Sequence, residues 1–213
     1  MSREFRLQNL LQNPHLWVAG QASTGIFRPI PTGFDALDQK LGGGWPVGAL
    51  TEILLSDEGA GELRCLMPAM ARLTRASGLD RSSPTRWVTW VAPPHIPYAP
   101  ALSQHGLDVS RLLVARAHKP LDALWAMEQA LRSSACVAVI AWFADVDDRA
   151  LRRIQLAAEA GQCWAVVFRP ARFAQCSSPA VLRIQLKFAA GGPVLNVIRN
   201  RYGNLGAVHL SGA

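Results

Sequence analysis

The sequence lacks the features that mark a membrane, secreted or metal-binding protein. Its longest apolar run, from Cys136 to Ala144, is well short of the roughly 20 residues that a helix needs to cross a bilayer. The N-terminal stretch has no apolar core followed by a small-residue cleavage site, so no secretory signal is expected. The four cysteines form no C-x-x-C pair and the five histidines show no ligand spacing, so we expect reduced thiols and no metal site. These absences predict a cytoplasmic protein that needs no cofactor.

Acidic residues are nearly absent from the last third of the chain. Residues 149–213 carry nine Lys and Arg but one acidic residue, Glu159, a local balance of +8. Residues 1–148 carry thirteen basic and fourteen acidic residues, a balance of −1. A basic region of this kind favours a polyanionic partner such as nucleic acid. A basic surface that only keeps the protein in solution explains the charge equally well.

Short apolar runs are frequent, and they determine the predicted fold. Runs rich in β-branched and aromatic residues are typical of parallel strands covered on both faces, whereas residues 181–188 alternate as a half-exposed antiparallel strand does. The predicted strands are 50–55, 86–92, 111–117, 136–143, 163–169, 181–188 and 194–201, with helices at 97–106, 120–133 and 148–160. The sequence therefore predicts an α/β fold, with a mostly parallel sheet, helices on both faces and a C-terminal antiparallel hairpin.

The segment TEILLSDEGAGELRCL, residues 51–66, has the order of a phosphate loop: a strand, a glycine turn and a helix. In the motif G-x-x-x-x-G-K-[ST], the lysine neutralises phosphate and the hydroxyl holds Mg²⁺. Here the loop runs from Ser56 through Gly61, with Glu62 at the lysine position and Leu63 at the hydroxyl position. Because a carboxylate repels phosphate, we expect no ATP hydrolysis. Taken locally, these residues fit an acidic turn that caps a helix better than a nucleotide site.

The order of elements resembles the RecA recombinase family. The segment IPTGFDALDQKLGGGWPVGALTEIL, residues 30–54, looks like the lead into the RecA phosphate loop. The resemblance implies a RecA-like core over 30–205, preceded by an N-terminal helix and connection over 1–29 and followed by a tail over 206–213. On this resemblance Ala141 stands where RecA has a metal-orienting aspartate, and Pro94 where it has the water-activating glutamate. The implied protein has the ATPase fold without its catalytic residues.

Further stretches are similar to the ImuA proteins of bacterial translesion-synthesis cassettes, which are sometimes grouped with SulA-like cell-division inhibitors. These stretches are GGGWPVGALTE, GELRCLMPAMARL, WVAPPHIPYAPAL, DALWAMEQALRS and RALRRIQLAAEAG. The resemblance implies a non-catalytic accessory protein of SOS-induced, error-prone translesion DNA synthesis. Its expected partners are an ImuB-type polymerase-like protein, a specialised replicative-type polymerase subunit, RecA, single-stranded DNA and a second copy of itself, at the nucleoid when DNA is damaged.

Two other functions stay open. One is a SulA-like cell-division inhibitor, which would block assembly of the FtsZ filament without any preference for DNA. A basic C-terminal third is not needed for that role, so the charge favours the DNA-synthesis hypothesis. The other is an active RecA-type ATPase, which would need replacements for the missing catalytic groups.

Basic residues and two tryptophans are the candidate contacts for DNA or a protein partner. Arg149, Arg152 and Arg153 lie at i, i+3 and i+4, which places them on one face of the predicted helix. The other basic candidates are Arg169, Arg172, Arg183, Lys187, Arg199 and Arg201, and Arg183 and Lys187 share the predicted outer face of their strand. Trp17 and Trp45, which stand outside the predicted core strands, are expected to be exposed anchors.

Overall fold

A mixed eight-stranded sheet is the central element of the structure, a computed structural model that describes residues 29–56, 61–76, 87–189 and 192–210. The sheet strands are β3 (Leu50–Leu55), β4 (Trp87–Val91), β5 (Leu112–Ala115), β6 (Cys136–Trp142), β7 (Trp164–Pro170), β8 (Leu182–Ala189), β9 (Gly192–Asn200) and β10 (Gly206–His209). Their order is β10-β9-β8-β3-β7-β6-β4-β5. In this order, each neighbouring pair between β8 and the edge strand β5 is parallel. The pairs β8–β9 and β9–β10 are antiparallel. Two further short strands, β1 (Pro29–Ile30) and β2 (Trp45–Pro46), form a separate antiparallel ribbon.

Helices cover both faces of the sheet. They are α1 (Asp35–Leu41), α2 (Met67–Ala76), α3 (Ala99–Gln104), α4 (Pro120–Arg132) and α5 (Asp148–Gly161). Alternate residues of a strand point to opposite faces, so Ile140 of β6 packs in the core beneath α1 to α3, and Val139 packs in the core beneath α4 and α5. Among the described residues, no helix combines the length and the apolar character that crossing a membrane requires.

Local sequence signals account for several element boundaries. Asp147 caps α5, since its Oδ1 accepts a hydrogen bond from the backbone N–H of Ala150 at 2.7 Å. Pro68 favours a kink or a late start of the helix, and α2 begins at Met67 after a separate 3₁₀-helix, Glu62–Cys65. The RecA-like identity of the core and the domain limits at 30 and 205 stay predictions.

The carboxyl ends of the parallel strands meet along one edge of the sheet. Parallel α/β sheets commonly place their binding sites at this edge. Here it carries Ser56 after β3, Pro94 after β4, Arg116 after β5 and Arg172 after β7. This edge is therefore the place to look for the functional site.

Candidate partner-binding surface

The phosphate-loop positions do not form a cationic cradle. Ser56 is exposed at the end of β3, and residues 57–60 lie outside the described part of the chain. Gly61 has a φ of +91°, a left-handed conformation that glycine adopts readily. Glu62, at the lysine position, is buried with 5% exposure, and Leu63 packs against the core. A buried carboxylate and an apolar side chain thus stand where a phosphate would need a cation and a hydroxyl.

The other two positions carried over from RecA have no polar side chain. Ala141 is fully buried in β6, in the core beneath α4 and α5. Pro94 is exposed in the loop that follows β4. Catalysis at this edge would need groups from elsewhere, so the absence of ATPase activity stays a prediction that these placements support.

The Cys65 thiol, in the 3₁₀-helix after Gly61, lies in an environment that disfavours its ionisation. Burial raises the pKa of Cys65 to about 12, because a thiolate is poorly solvated there, and the negative charge of Glu62 acts in the same direction. A hydrogen bond with the backbone acts in the opposite direction. The sulfur lies 3.1 Å from the carbonyl oxygen of Glu62. Cys65 is therefore a neutral buried thiol rather than a reactive nucleophile.

Two of the candidate basic residues are neutralised inside the protein. Glu52 of β3 is fully buried, and its two carboxylate oxygens accept hydrogen bonds from Arg169 of β7 and Arg183 of β8, each at 2.5 Å. Arg169 also donates to the Val146 carbonyl at 2.7 Å, and Arg183 donates to the Phe173 carbonyl at 2.8 Å. The expectation that Arg169 and Arg183 offer an exposed basic surface is wrong, because the partner carboxylate lies in the strand between them.

The remaining basic residues of the C-terminal region are exposed. Arg172 donates to the Ala144 carbonyl at 2.8 Å and lies against the Phe173 ring. Lys187 is exposed on β8. Arg199 and Arg201 line a cavity of about 370 Å³ with Pro179, Val181 and Asn200. The contact of these side chains with DNA or a protein partner stays a prediction.

The α5 arginines are exposed, as the helical spacing predicts. Arg153 forms an ion pair with Glu128 of α4, which also pairs with Arg132 at 3.1 Å. Arg149 and Arg153 line a groove of about 320 Å³ between α4 and α5. The other residues that line this groove are Pro120, Leu121, Leu124, Phe143, Asp145, Val146, Asp147 and Ala150. Because the groove contains charges of both signs, it does not present a uniform basic face.

The expectation that Trp45 is an exposed anchor is wrong. Gly44 has a φ of +137°, and a Cβ at this position would lie 2.1 Å from the Ile30 carbonyl oxygen. This close approach pairs β1 with β2 and turns Trp45 inward. Its ring is fully buried and stacks on Trp164 at a centroid distance of 5.3 Å. Trp17 lies outside the described residues.

A cavity that was not expected from the sequence lies at the carboxyl ends of β4 and β5. It has a volume of about 250 Å³ and is lined by residues 92–97 and 116–118. Ile96 and Tyr98, in the loop that leads to α3, are 77% and 70% exposed, and Leu121 and Trp125 of α4 are 77% and 63% exposed. The available signal was PPHIPYAP, where closely spaced prolines disfavour a regular strand and leave apolar side chains without a core position.

The chain is similar to known cell division inhibitors. A family model described as "Cell division inhibitor SulA" matches residues 48–165. The SulA protein of Yersinia enterocolitica serotype O:8 / biotype 1B (strain NCTC 13174 / 8081) is 28% identical over 123 residues, which cover 58% of this chain and 68% of that protein. SulA proteins of Yersinia pestis (strain Pestoides F) and Yersinia pseudotuberculosis serotype O:1b (strain IP 31758) are 27% identical over the same lengths.

The matched segment differs from the remainder of the chain in charge and exposed apolar area. Residues 48–165 contain twelve basic and twelve acidic residues, whereas residues 166–213 contain six basic and no acidic residues. Of the nine large hydrophobic side chains that are exposed in the described residues, seven lie in the matched segment, and Phe188 and Leu205 follow it. The segment shared with cell division inhibitors is thus neutral and rich in exposed apolar side chains.

These matches correct the main functional expectation. An accessory role in translesion DNA synthesis is wrong as the leading hypothesis, because the matching family model and the similar proteins are cell division inhibitors. Six of the nine C-terminal basic residues that favoured DNA lie outside the matched segment, whereas Arg149, Arg152 and Arg153 lie inside it. Two of them, Arg169 and Arg183, are buried with a carboxylate.

Proposed function

Because this chain belongs to the SulA family of cell division inhibitors, we propose that it inhibits cell division by binding FtsZ and preventing its assembly into filaments. The observation that carries the proposal is the family match over residues 48–165, which spans more than half of the chain. The resemblance to ImuA proteins within this family stays a prediction. Expression as part of the SOS response and a cytoplasmic location belong to the proposal as well.

The proposed action is binding rather than catalysis. At the carboxyl edge of the sheet, the positions of a phosphate loop hold a buried glutamate and a leucine, and Ala141 and Pro94 offer no carboxylate. The same edge carries exposed apolar side chains of the kind that form the centres of protein interfaces. Both observations support a protein that acts through a surface.

The neutral charge of the matched segment supports a protein partner over nucleic acid. Affinity for DNA comes largely from cations that neutralise phosphates, and it falls steeply with salt. Residues 48–165 have no excess of cations. An FtsZ-directed inhibitor needs no affinity for DNA.

The proposal is tested with purified FtsZ and GTP. The full-length chain is added at increasing molar ratio, and polymer is measured by sedimentation and light scattering while GTP hydrolysis is followed. We expect polymer to decrease as the inhibitor approaches the FtsZ concentration, without any ATP requirement. Unchanged polymer at a large molar excess of folded protein would contradict the proposal.

A cellular measurement complements the assay. Expression of the chain in a rod-shaped bacterium should produce elongated cells that grow without dividing. An excess of FtsZ should restore division, because it binds the available inhibitor. Normal division at an expression level that exceeds that of FtsZ would contradict the proposed role.

A further inference from the structure

The cavity at the carboxyl ends of β4 and β5 is a built feature of the fold. Its two walls are the loop after β4, which contains Pro93 and Pro94, and the segment after β5, which contains Arg116 and Ala117. The backbone N–H of Ala92 donates to the Ala115 carbonyl at 2.9 Å, so the two walls are joined at their base. Ala92 has a φ of +48°, a conformation that non-glycine residues rarely adopt and that clusters at functional sites.

The charge in this cavity has one sign. The titratable residues that line it are His95, Arg116 and His118, and no acidic residue lines it. Within the described residues, the Arg116 side chain makes no hydrogen bond or ion pair, and it is exposed. Lys119 follows directly as the residue before α4. An arginine with no partner of its own is available for a carboxylate of another molecule.

Apolar side chains extend from this basic centre. Ile96 lines the cavity, and Tyr98 lies two residues further along the same loop. On α4, the exposed Leu121 lines the neighbouring groove between α4 and α5, and Trp125 lies one helical turn beyond it. Aromatic and arginine side chains are the residue types that most often dominate binding energy at protein interfaces.

Two further cavities fit a partner less well. The groove between α4 and α5 contains Asp145 and Asp147 as well as Arg149 and Arg153, and Arg153 is already paired with Glu128. The cavity at Arg199 and Arg201 lies outside the segment that matches the family. The first cavity combines an arginine that has no partner among the described residues, exposed apolar groups, a lining without acidic residues and a position inside the matched segment.

We propose that this cavity is the docking site for the protein partner, and that it receives an acidic segment whose apolar side chains pack on Ile96 and Tyr98. A carboxylate of that segment pairs with Arg116, between His95 and His118. The inference rests on the proposed function, because it takes the inhibited protein as the occupant. It goes further by assigning the surface and the chemistry of the segment that binds there.

The test compares two charge reversals of exposed arginines. Arg116→Glu changes the cavity, and Arg152→Glu makes the same change on α5, at an arginine that lines none of the three cavities. Affinity for purified FtsZ and inhibition of its assembly are measured at low and high salt, with urea unfolding to verify that both variants are folded. We expect Arg116→Glu to weaken binding about tenfold or more at low salt, and Arg152→Glu to leave it within about twofold.

The outcomes separate this inference from the proposed function. If the wild-type chain does not inhibit FtsZ, the function fails and the docking site fails with it. If the wild type inhibits and Arg116→Glu inhibits equally well, the function stands and the docking site is overturned. Equal losses in the two variants would show a response to net charge alone and would also overturn the site.

A second variant keeps the test decisive if Arg116→Glu does not fold. Tyr98→Ser removes an exposed aromatic ring without changing charge, and we expect it to weaken FtsZ binding while leaving unfolding unchanged. Undiminished binding by folded Tyr98→Ser would count against the site. Single-stranded DNA serves as a competing probe: if it displaces FtsZ from the wild type, the cavity is a phosphate site and the inference is wrong.

Discussion

Two regions of the same sheet use their arginines in opposite ways. After β5, Arg116 is exposed and has no ion-pair partner among the described residues. Within β7 and β8, Arg169 and Arg183 are buried on either side of Glu52. The first arrangement leaves a charge available for another molecule, and the second uses its charges to stabilise the fold. An excess of basic residues in a sequence is therefore not the same as an excess of charge on the surface.

Strand register explains why the second stretch is neutralised. Glu52 of β3 is aligned with Arg183 of β8, and Arg169 of β7 is aligned with Leu54, two residues beyond Glu52 on the same face. The carboxylate thus lies between two guanidinium groups in the middle strand of three. Arg183 also donates to the carbonyl oxygens of Phe173 and Cys176, which holds the 3₁₀-helix Ala171–Gln175 over the sheet.

The largest expected effect is the loss of the shared carboxylate. Glu52→Ala leaves two buried guanidinium groups without a counter-charge, and breaking a buried ion pair in this way costs about 3–5 kcal/mol. We expect the free energy of unfolding, measured in urea, to fall by about that amount, or the variant to fail to fold. Glu52→Gln, which keeps the size of the side chain, should lose less. A loss below about 1 kcal/mol in Glu52→Ala would show that the two arginines are hydrated, which would contradict their burial beside Glu52.

Local features of this protein could be predicted from the sequence, and pairings between distant residues could not. The strand Leu50–Leu55 and the helix Asp148–Gly161 follow from apolar pattern and an aspartate cap. Trp45 was misplaced because its burial depends on Trp164, which is far along the chain. Arg183 was placed on an open face because Glu52, its partner, is 131 positions away.

The cavity at β4 and β5 could not be predicted from the sequence either, because it also depends on contacts between residues that are distant in the chain. Ile96 and Arg116 belong to loops, where no periodicity indicates which residues will meet. Only the parallel pairing of β4 with β5 brings the two loops together. Their meeting is a consequence of topology.

The segment that follows β3 contains a group whose ionisation is controlled by burial rather than by an ion pair, the Cys65 thiol. The ordinary pKa of the Cys65 thiol is 9.0, and burial raises it to about 12 in the folded protein. Above pH 9 the unfolded chain therefore releases this proton while the folded chain retains it, so stability falls as pH rises from 9 towards 12. At pH 10 the loss attributable to Cys65 is about 1.4 kcal/mol.

Urea unfolding from pH 7 to pH 10 measures this effect, with Cys65→Ala as the control. The variant has lower stability throughout, because a buried side chain is truncated, but it should lack the extra decline above pH 9. Other titrating groups are common to both proteins and cancel in the difference. Parallel curves for wild type and Cys65→Ala would contradict the raised pKa.

The smallest expected effect comes from a second carboxylate that binds two arginines, Glu128, because both of its arginine partners are half exposed. Glu128 pairs with Arg132 and Arg153, whose side chains are 54% and 52% exposed, whereas Arg169 and Arg183 are 2% and 8% exposed. Water stabilises the two exposed guanidinium groups when their partner is removed, so Glu128→Ala should reduce the free energy of unfolding by about 0.5–1 kcal/mol. High salt should diminish this loss, because exposed pairs are screened, while leaving the loss in Glu52→Ala nearly unchanged. Equal losses in the two variants, with equal salt dependence, would mean that burial does not distinguish the two clusters. The Arg169 and Arg183 charges would then have to be counted as available to a partner, which the structure argues against.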